Sequence, residues 1–129
     1  MRSALILAAL AFAAPALAQN INCNNAMSQS EMNICADQEF RAADAKLNAA
    51  YARLMAVAGD EGFKTKLRAA QRAWISFRDG ECTYETADNE GGSIHPMVYA
   101  GCQARLTKER TKALNALAAC QQNADMCGM

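Results

Sequence analysis

Apolar residues recur every three or four positions along almost the whole chain from residue 28 to residue 120, and signals for β-strands are nearly absent. An amphipathic helix requires this spacing. It predicts three helices, separated near Gly59 and in the turn-rich segment 88–93. The short connection at Gly59 makes the first two helices an antiparallel hairpin, and the third helix must cover the stripe that remains. The sequence therefore predicts an all-α fold, a small three-helix bundle on a long antiparallel helical hairpin.

Local signals set the helix ends and the buried stripes. Ser28 and Glu31 form a capping box at the first helix, and Gly59 supplies a left-handed stop. Pro96 suits the first turn of the third helix. The predicted buried stripes are Ala36, Phe40, Ala43, Leu47, Ala50, Tyr51, Leu54 and Ala58 in the first helix, Phe63, Leu67, Ala70, Trp74 and Phe77 in the second, and Tyr99, Cys102, Leu106, Ala113, Leu117 and Cys120 in the third.

The chain begins with features of an export signal. Arg2 precedes an apolar run over 4–14, and the small-x-small pattern at 16–18 suits signal peptidase. The run is about half of the roughly 20 residues that span a bilayer, so no stable membrane insertion is expected after cleavage. We expect residues 1–18 to be removed and residues 19–129 to form a single domain in the bacterial periplasm or outside the cell.

The composition and the histidine content argue against several functions. Thirteen basic residues balance thirteen acidic ones, so no basic excess points to nucleic acid. His95 is the only histidine, and the chain has neither a G-x-S-x-G nucleophile elbow nor an H-E-x-x-H zinc motif. The sequence therefore predicts no enzyme, no metal site and no cofactor.

Five polar residues fall on the predicted helix faces that meet. In a hairpin that turns near residue 60, partners have numbers that sum to about 120, which places Asp44 level with Arg78 and Asn48 level with Gln71. Arg110 interrupts the stripe of the third helix in the same way. Because buried charges are tolerated only when they are paired, we interpret the set as a structural polar network that fixes the helix register. A site for a planar anion is the alternative, since Arg binds such groups bidentately.

Five pieces of the sequence together resemble one family. They are residues 30–35, 44–51, 70–82 and 90–93, and Cys102 with 106–110, and they cover nearly the whole mature chain in order. In these pieces the chain resembles the lysozyme inhibitor LprI N-terminal-type domain family. The resemblance implies a helical domain of the periplasm or cell envelope, with at least one member regarded as an inhibitor of lysozyme. It carries over no catalytic residue.

All six cysteines follow the predicted cleavage point, and an even number in an exported chain predicts disulfides. The favoured pairs are Cys23–Cys35, Cys82–Cys102 and Cys120–Cys127. They would tie the N-terminal segment, the loop between the second and third helices, and the tail. Cys35–Cys82 is the alternative, because these numbers also sum to nearly 120.

The resemblance makes a protein partner the leading hypothesis, with a lysozyme or related muramidase blocked by non-catalytic occlusion. Animal-type lysozymes are basic enzymes with a carboxylate pair in their cleft, so an acidic rim and hydrogen-bond donors would suit an inhibitor. The segment from Asp88 to Pro96 offers both: acids at Asp88 and Glu90, and donors at Ser93 and His95.

Two alternatives stay open. The second candidate function, after the inhibitor, is an envelope adaptor or stabilising module without inhibitory activity. The segment from Asp88 to Pro96 would alternatively be an ordinary linker. The alanine pairs Ala42-Ala43 and Ala49-Ala50 would also permit a homodimer through close helix packing.

Overall fold

The computed structural model describes residues 21–124 and Cys127. These residues form three α-helices, α1 (Gln29–Val57), α2 (Glu61–Glu85) and α3 (His95–Gln122), and two short 3-10 helices, Cys23–Asn25 and Ala87–Asn89. No strand occurs among them, and the all-α prediction is confirmed. None of the helices in the described part has the length and apolarity to cross a membrane. The predicted signal peptide lies outside the described residues.

The helices run up, down and up. The connection Ala58–Asp60 joins α1 to the antiparallel α2, and α3 returns in the direction of α1. α1 and α3 approach each other most closely. Buried small residues on both helices permit this approach, because a methyl side chain takes little space between two backbones: Ala43, Ala50, Ala104 and Ala118.

The core lies between α1 and α3. Its fully buried members are Leu47, Ala50, Leu54, Leu114 and Ala118, and Tyr51, Val57, Leu67 and Trp74 pack against them. The first-helix prediction is confirmed at Ala43, Leu47, Ala50, Leu54 and Ala58. Of the alanine pairs considered for a homodimer, Ala43 and Ala50 are buried within the bundle, whereas Ala42 and Ala49 are exposed.

The beginning of α1 confirms the predicted capping box, whereas its end contradicts the predicted left-handed stop. The Ser28 hydroxyl accepts the Glu31 backbone N–H at 3.2 Å, and the Glu31 carboxylate accepts the backbone N–H groups of Ser28 and Met27 at 3.0 Å. These hydrogen bonds lower the pKa of Glu31. The left-handed stop at Gly59 is wrong, since among the described glycines only Gly91 has a positive φ. The helix ends because Ala58 is extended (φ −63°, ψ 123°).

The predicted stripe of α2 is wrong at Ala70, which is exposed, and at Phe63 and Phe77, which are 57% and 54% exposed. α2 turns the face of Gln71, Arg78 and Cys82 toward the bundle. The apolar pattern did not reveal this face because two of its three buried residues are polar. These polar side chains find hydrogen-bond partners on α1 and α3, which makes their burial tolerable.

The predicted stripe of α3 is wrong at Ala113 and Leu117, which are exposed. The buried positions instead include Gln103, Thr107 and Leu114. α3 packs on both of the other helices, so its buried surface is broader than one apolar stripe. Pro96 lies in the first turn of α3, as predicted.

Three disulfides link the six cysteines. The pairs are Cys23–Cys35, Cys82–Cys102 and Cys120–Cys127. The favoured pairing is therefore confirmed and the alternative Cys35–Cys82 is wrong. Two of the three disulfides lie at one end of the bundle, where α1 and α3 begin and α2 ends.

Candidate protein-binding site at the loop end

The segment between α2 and α3, Thr86–Ile94, is a chain of consecutive tight turns. Backbone N–H groups at 89, 90, 92 and 95 donate to carbonyl oxygens three residues earlier, at 2.9 to 3.1 Å. Gly91, with φ at +78°, supplies the one left-handed residue that the turns need. The segment, named the loop below, therefore has internal structure and does not depend on a partner for its shape.

Three further links hold the loop to the helices. The Cys82–Cys102 disulfide joins the helices on either side of it. The Thr86 hydroxyl donates to the Cys82 carbonyl at 2.7 Å and lies 3.3 Å from His95 Nε2. On the far side, the Asn33 side-chain amide donates to the Ser93 carbonyl at 3.0 Å. The loop is thus fixed to all three helices.

The four residues suggested for binding lie in and beside this loop. Asp88, Glu90 and Ser93 are exposed. His95 is half-buried at the start of α3, where its ring also lies against Tyr99 with centroids 5.8 Å apart. The carboxylates and the Ser93 hydroxyl are open to a partner, whereas the His95 imidazole is positioned by contacts within the molecule.

Charge is divided between the two ends of the bundle. Cut at the midpoint of each helix, the loop half comprises 21–43 and 74–108, and the turn half comprises 44–73 and 109–124. Each half holds twelve charged residues, but the loop half is net −4 and the turn half net +4. The loop half contains eight acids and four bases: Glu31, Asp37, Glu39, Asp79, Glu81, Glu85, Asp88, Glu90, Arg41, Arg78, Arg105 and Lys108. A neutral chain therefore presents one acidic end and one basic end.

Arg78 lies at the centre of the polar network. Its side chain is 8% exposed, and its guanidinium contacts Asp79 at 2.8 Å, Asp44 at 3.4 Å and the Thr107 hydroxyl at 3.4 Å. It also lies over two aromatic rings, 5.0 Å from the centroid of Phe40 and 5.5 Å from that of Trp74. Two carboxylates and two ring faces surround this cation. It joins all three helices below the loop.

The other predicted network residues form a looser continuation. Arg110 donates to the Gln71 side chain at 3.1 Å and lies 5.9 Å from the centroid of Trp74. Burial lowers the pKa of Arg110. Asn48 donates to Asp44 at 3.4 Å and does not join Gln71 directly. Trp74 thus stands between two groups, one around Arg78 and one around Arg110.

Asp79 is a network residue that the set of five predicted from the sequence does not include. It accepts hydrogen bonds from Arg78 at 2.8 Å and from the Gln103 side chain at 2.9 Å. Burial alone would raise the pKa of Asp79, but the hydrogen bonds from Arg78 and Gln103 and the charge of Arg78 outweigh it and lower the pKa. Asp79 lies three residues before Cys82, on the same helix face. That spacing was the available signal.

The described residues show no arrangement for metal binding. Within the described part of the chain, no three His, Cys, Asp or Glu side chains come together in a group that would hold an ion. The single histidine, His95, has a hydroxyl partner in Thr86.

Comparison with known proteins assigns the chain to a family. The family model described as lysozyme inhibitor LprI matches residues 22–114. The chain belongs to the lysozyme inhibitor LprI family. The resemblance drawn from the five sequence pieces is thereby confirmed. The match includes the loop and the residues of the polar network.

Two similar proteins extend this assignment. An uncharacterized protein from Rhizobium meliloti strain 1021 is 42% identical over 124 residues, which cover 85% of this chain and 89% of the relative. The crystal structure of a DUF1311 family protein from Pseudomonas putida KT2440 matches with a TM-score of 0.65 at 25% identity. That match covers 72% of this chain and 95% of the solved one. The LprI family name describes an inhibitor, which implies a protein partner such as lysozyme rather than catalysis.

Proposed function

We propose that this protein is an exported inhibitor that binds a lysozyme or related muramidase through its loop end and blocks it without turnover. The observation that carries the proposal is the combination of the LprI family match with a rigid, acidic loop end. The family name supplies the class of partner. The loop end supplies a surface with the matching chemistry.

Electrostatics supports the choice of this end. A basic lysozyme is attracted to the net −4 loop half and repelled by the net +4 turn half, so encounters are oriented before contact. Asp88 and Glu90 are exposed on the loop and carry part of this charge. The same field predicts that inhibition weakens as salt is added.

The internal structure of the loop supports tight binding. An ordered loop loses less conformational entropy on binding than a disordered one. Here the Cys82–Cys102 disulfide, the Thr86 contacts and the Asn33 hydrogen bond fix the loop before any partner arrives. In the proposed complex, the Ser93 hydroxyl donates to a carboxylate of the lysozyme cleft. His95 holds the first turn of α3, next to the loop, in position.

The test is a turbidity assay of bacterial cell walls digested by animal-type, goose-type and invertebrate-type lysozymes, with the purified, oxidised protein added. We expect saturable inhibition of one class at near-stoichiometric protein. Replacing both Ser93 and His95 by alanine should raise the inhibition constant about tenfold or more, since hydrogen bonds to charged groups contribute about 1.5–3 kcal/mol each. Ser76→Ala, an exposed serine on α2, is the matched control.

Two results would count against the proposal. If no class of lysozyme is inhibited, the envelope adaptor or stabilising module becomes the better account of the chain. If inhibition occurs but the Ser93 and His95 double variant keeps full potency with intact helical circular dichroism, the inhibitory surface lies elsewhere than on the loop.

A further inference from the structure

One flank of α2 carries an exposed apolar stripe, whose first ring, Phe63, lies 5.9 Å from Lys66 Nζ and borders a groove shared with Leu117 of α3. Phe63, Ala70, Phe77 and Tyr84 follow each other at intervals of seven, and all four are exposed. The three aromatic residues are 57%, 54% and 79% exposed, respectively. We call these four residues the outer stripe. Residues seven apart lie on nearly the same side of a helix, so the outer stripe runs along almost the full length of α2.

Single exposed apolar residues are ordinary, but three aromatic rings aligned on one helix face are the composition of an interaction surface. Small residues beside the outer stripe leave room for close approach. Ala73 is exposed, and a Cβ added at Gly80 would meet no atom within 4 Å. A second helix can therefore approach the α2 backbone closely. Phe77 can then pack against small side chains across the contact.

Charge along α2 indicates which helix would fit. On the side of the outer stripe, the first half of α2 carries a base, Lys66, and the second half carries an acid, Glu81. A helix laid antiparallel on this face fits best if its own charge falls from basic to acidic along the chain. A second copy of α2 has that pattern.

We propose that two copies of this chain associate through their outer stripes, with the two α2 helices antiparallel about a two-fold axis near residues 73–75. In this arrangement Phe77 of one copy faces Ala70 and Ala73 of the other. Lys66 of one copy comes within about one helical turn of Glu81 of the other. The two Lys66–Glu81 pairs are related by the two-fold axis, as the symmetry of an isologous dimer requires.

The site of inhibition stays accessible in this dimer. The loop follows the last residues of α2 and so lies beyond the paired segment. The two loops point away from each other at opposite ends of the pair. The dimer does not depend on the proposed function, because it rests on α2 alone.

The test is sedimentation equilibrium of the oxidised protein, purified after export to the periplasm of an expression host, over a wide concentration range. We expect a reversible monomer–dimer equilibrium. Phe77→Ser should raise the dimer dissociation constant about tenfold, in keeping with the loss of an aromatic anchor. Ile34→Ser, which alters an exposed apolar residue on α1, should change it less than about twofold.

A charge exchange tests the antiparallel orientation. Lys66→Glu and Glu81→Lys should each weaken the dimer, because each places like charges near each other across the two-fold axis. An equimolar mixture of the two variants should recover the dimer, since every such pair is then of opposite charge. A protein that stays monomeric at all concentrations, a dimer insensitive to Phe77→Ser, or a mixture no more associated than its components would overturn the proposal.

Discussion

The loop end and the turn end close the same three helices in different ways. At the turn end, the three residues Ala58–Asp60 join α1 to α2, and the Asp60 side chain caps the new helix at the Phe63 N–H, 3.0 Å away. At the loop end, the nine residues Thr86–Ile94 are held by tight turns, a disulfide and side-chain hydrogen bonds. The connection at the turn end only reverses the chain. The loop end presents a fixed, charged surface, which a helix reversal does not require.

The two ends of the bundle also differ in net charge. The loop half is net −4 and the turn half net +4, although each contains twelve charged residues. Arg78 lies in the loop half about two helical turns before the loop, and its contacts reach Asp44 at the edge of the turn half. Arg110 lies in the turn half with Gln71 as its hydrogen-bond acceptor. The end that presents a surface is also the more firmly supported one. Matched substitutions, one in each half of the bundle, test whether the loop end is the more firmly supported one.

The largest contrast is expected between Arg78→Ala and Arg110→Ala. Removing Arg78 leaves Asp44 and Asp79 without their cation and exposes the two aromatic rings that the guanidinium contacts. The free energy of unfolding should therefore fall by about 3 kcal/mol. Removing Arg110 leaves the Gln71 amide unpaired at a cost of about 1 kcal/mol. Urea unfolding followed by circular dichroism measures both. Equal losses would mean that the network is not concentrated below the loop.

A smaller contrast is expected between two disulfides. Cys82–Cys102 closes a segment of 20 residues and Cys120–Cys127 one of 7. In the chain-entropy model their removal by paired alanine substitutions costs about 3 and about 2 kcal/mol. Loss of Cys82–Cys102 should also speed amide hydrogen exchange in the loop ahead of the helices. Exchange that rises equally everywhere would show that this disulfide does not specifically hold the loop.

The smallest effect expected is a pH dependence that belongs to Asp79. Its pKa is lowered in the folded state, so its contribution is fully present above the unfolded value of about 3.9 and is lost as pH falls through the folded pKa. Asp79→Asn should therefore flatten the fall in stability below about pH 5. The difference should stay under about 1 kcal/mol, because the side chain is 44% exposed.

Urea midpoints measured at several pH values follow this effect, with Glu61→Gln in the turn half as the matched loss of one carboxylate. Removal of Glu61 controls for the general change in net charge. If Asp79→Asn leaves the acid limb of the stability curve unchanged, the hydrogen bonds of Asp79 do not contribute to stability in the way that the structure indicates.

The sequence was informative where burial followed apolarity. On α1, the spacing of Ala43, Leu47, Ala50 and Leu54 predicted the core face, because α1 packs on α3 through apolar side chains. The hairpin numbering brought Asp44 level with Arg78, and the two form an ion pair at 3.4 Å. The capping box at Ser28 depends on neighbouring residues alone, which is why it could be predicted.

The sequence was misleading where tertiary contacts decided burial. On α2, Gln71 and Arg78 are buried and Phe63 and Phe77 are exposed. Usually the apolar side chains of a helix are buried and the polar ones are exposed. Partners on other helices make the polar burial tolerable, and no periodicity within α2 reveals those partners. Asp79 was missing from the predicted network for the same reason, because its partner Gln103 lies on α3. For the loop, the sequence indicated exposed acids but not the hydrogen bonds that fix the backbone.

The central claim is that the acidic loop end, and not the whole molecule, recognises a lysozyme. The most direct measurement compares two variants with equal changes in net charge in the turbidity assay: Asp88→Asn with Glu90→Gln in the loop, and Glu61→Gln with Glu109→Gln in the turn half. At an ionic strength of about 0.1 M, charges act over about 10 Å. Glu61 lies the full length of α2, roughly 37 Å, from the loop, and Glu109 lies roughly 21 Å along α3 from it.

We expect the double substitution Asp88→Asn and Glu90→Gln in the loop to raise the inhibition constant about five- to tenfold. The double substitution Glu61→Gln and Glu109→Gln in the turn half should change it less than about twofold. The gap should narrow as salt is added. Equal effects from the two pairs, or a larger effect from the turn half, would contradict the claim and place recognition away from the loop.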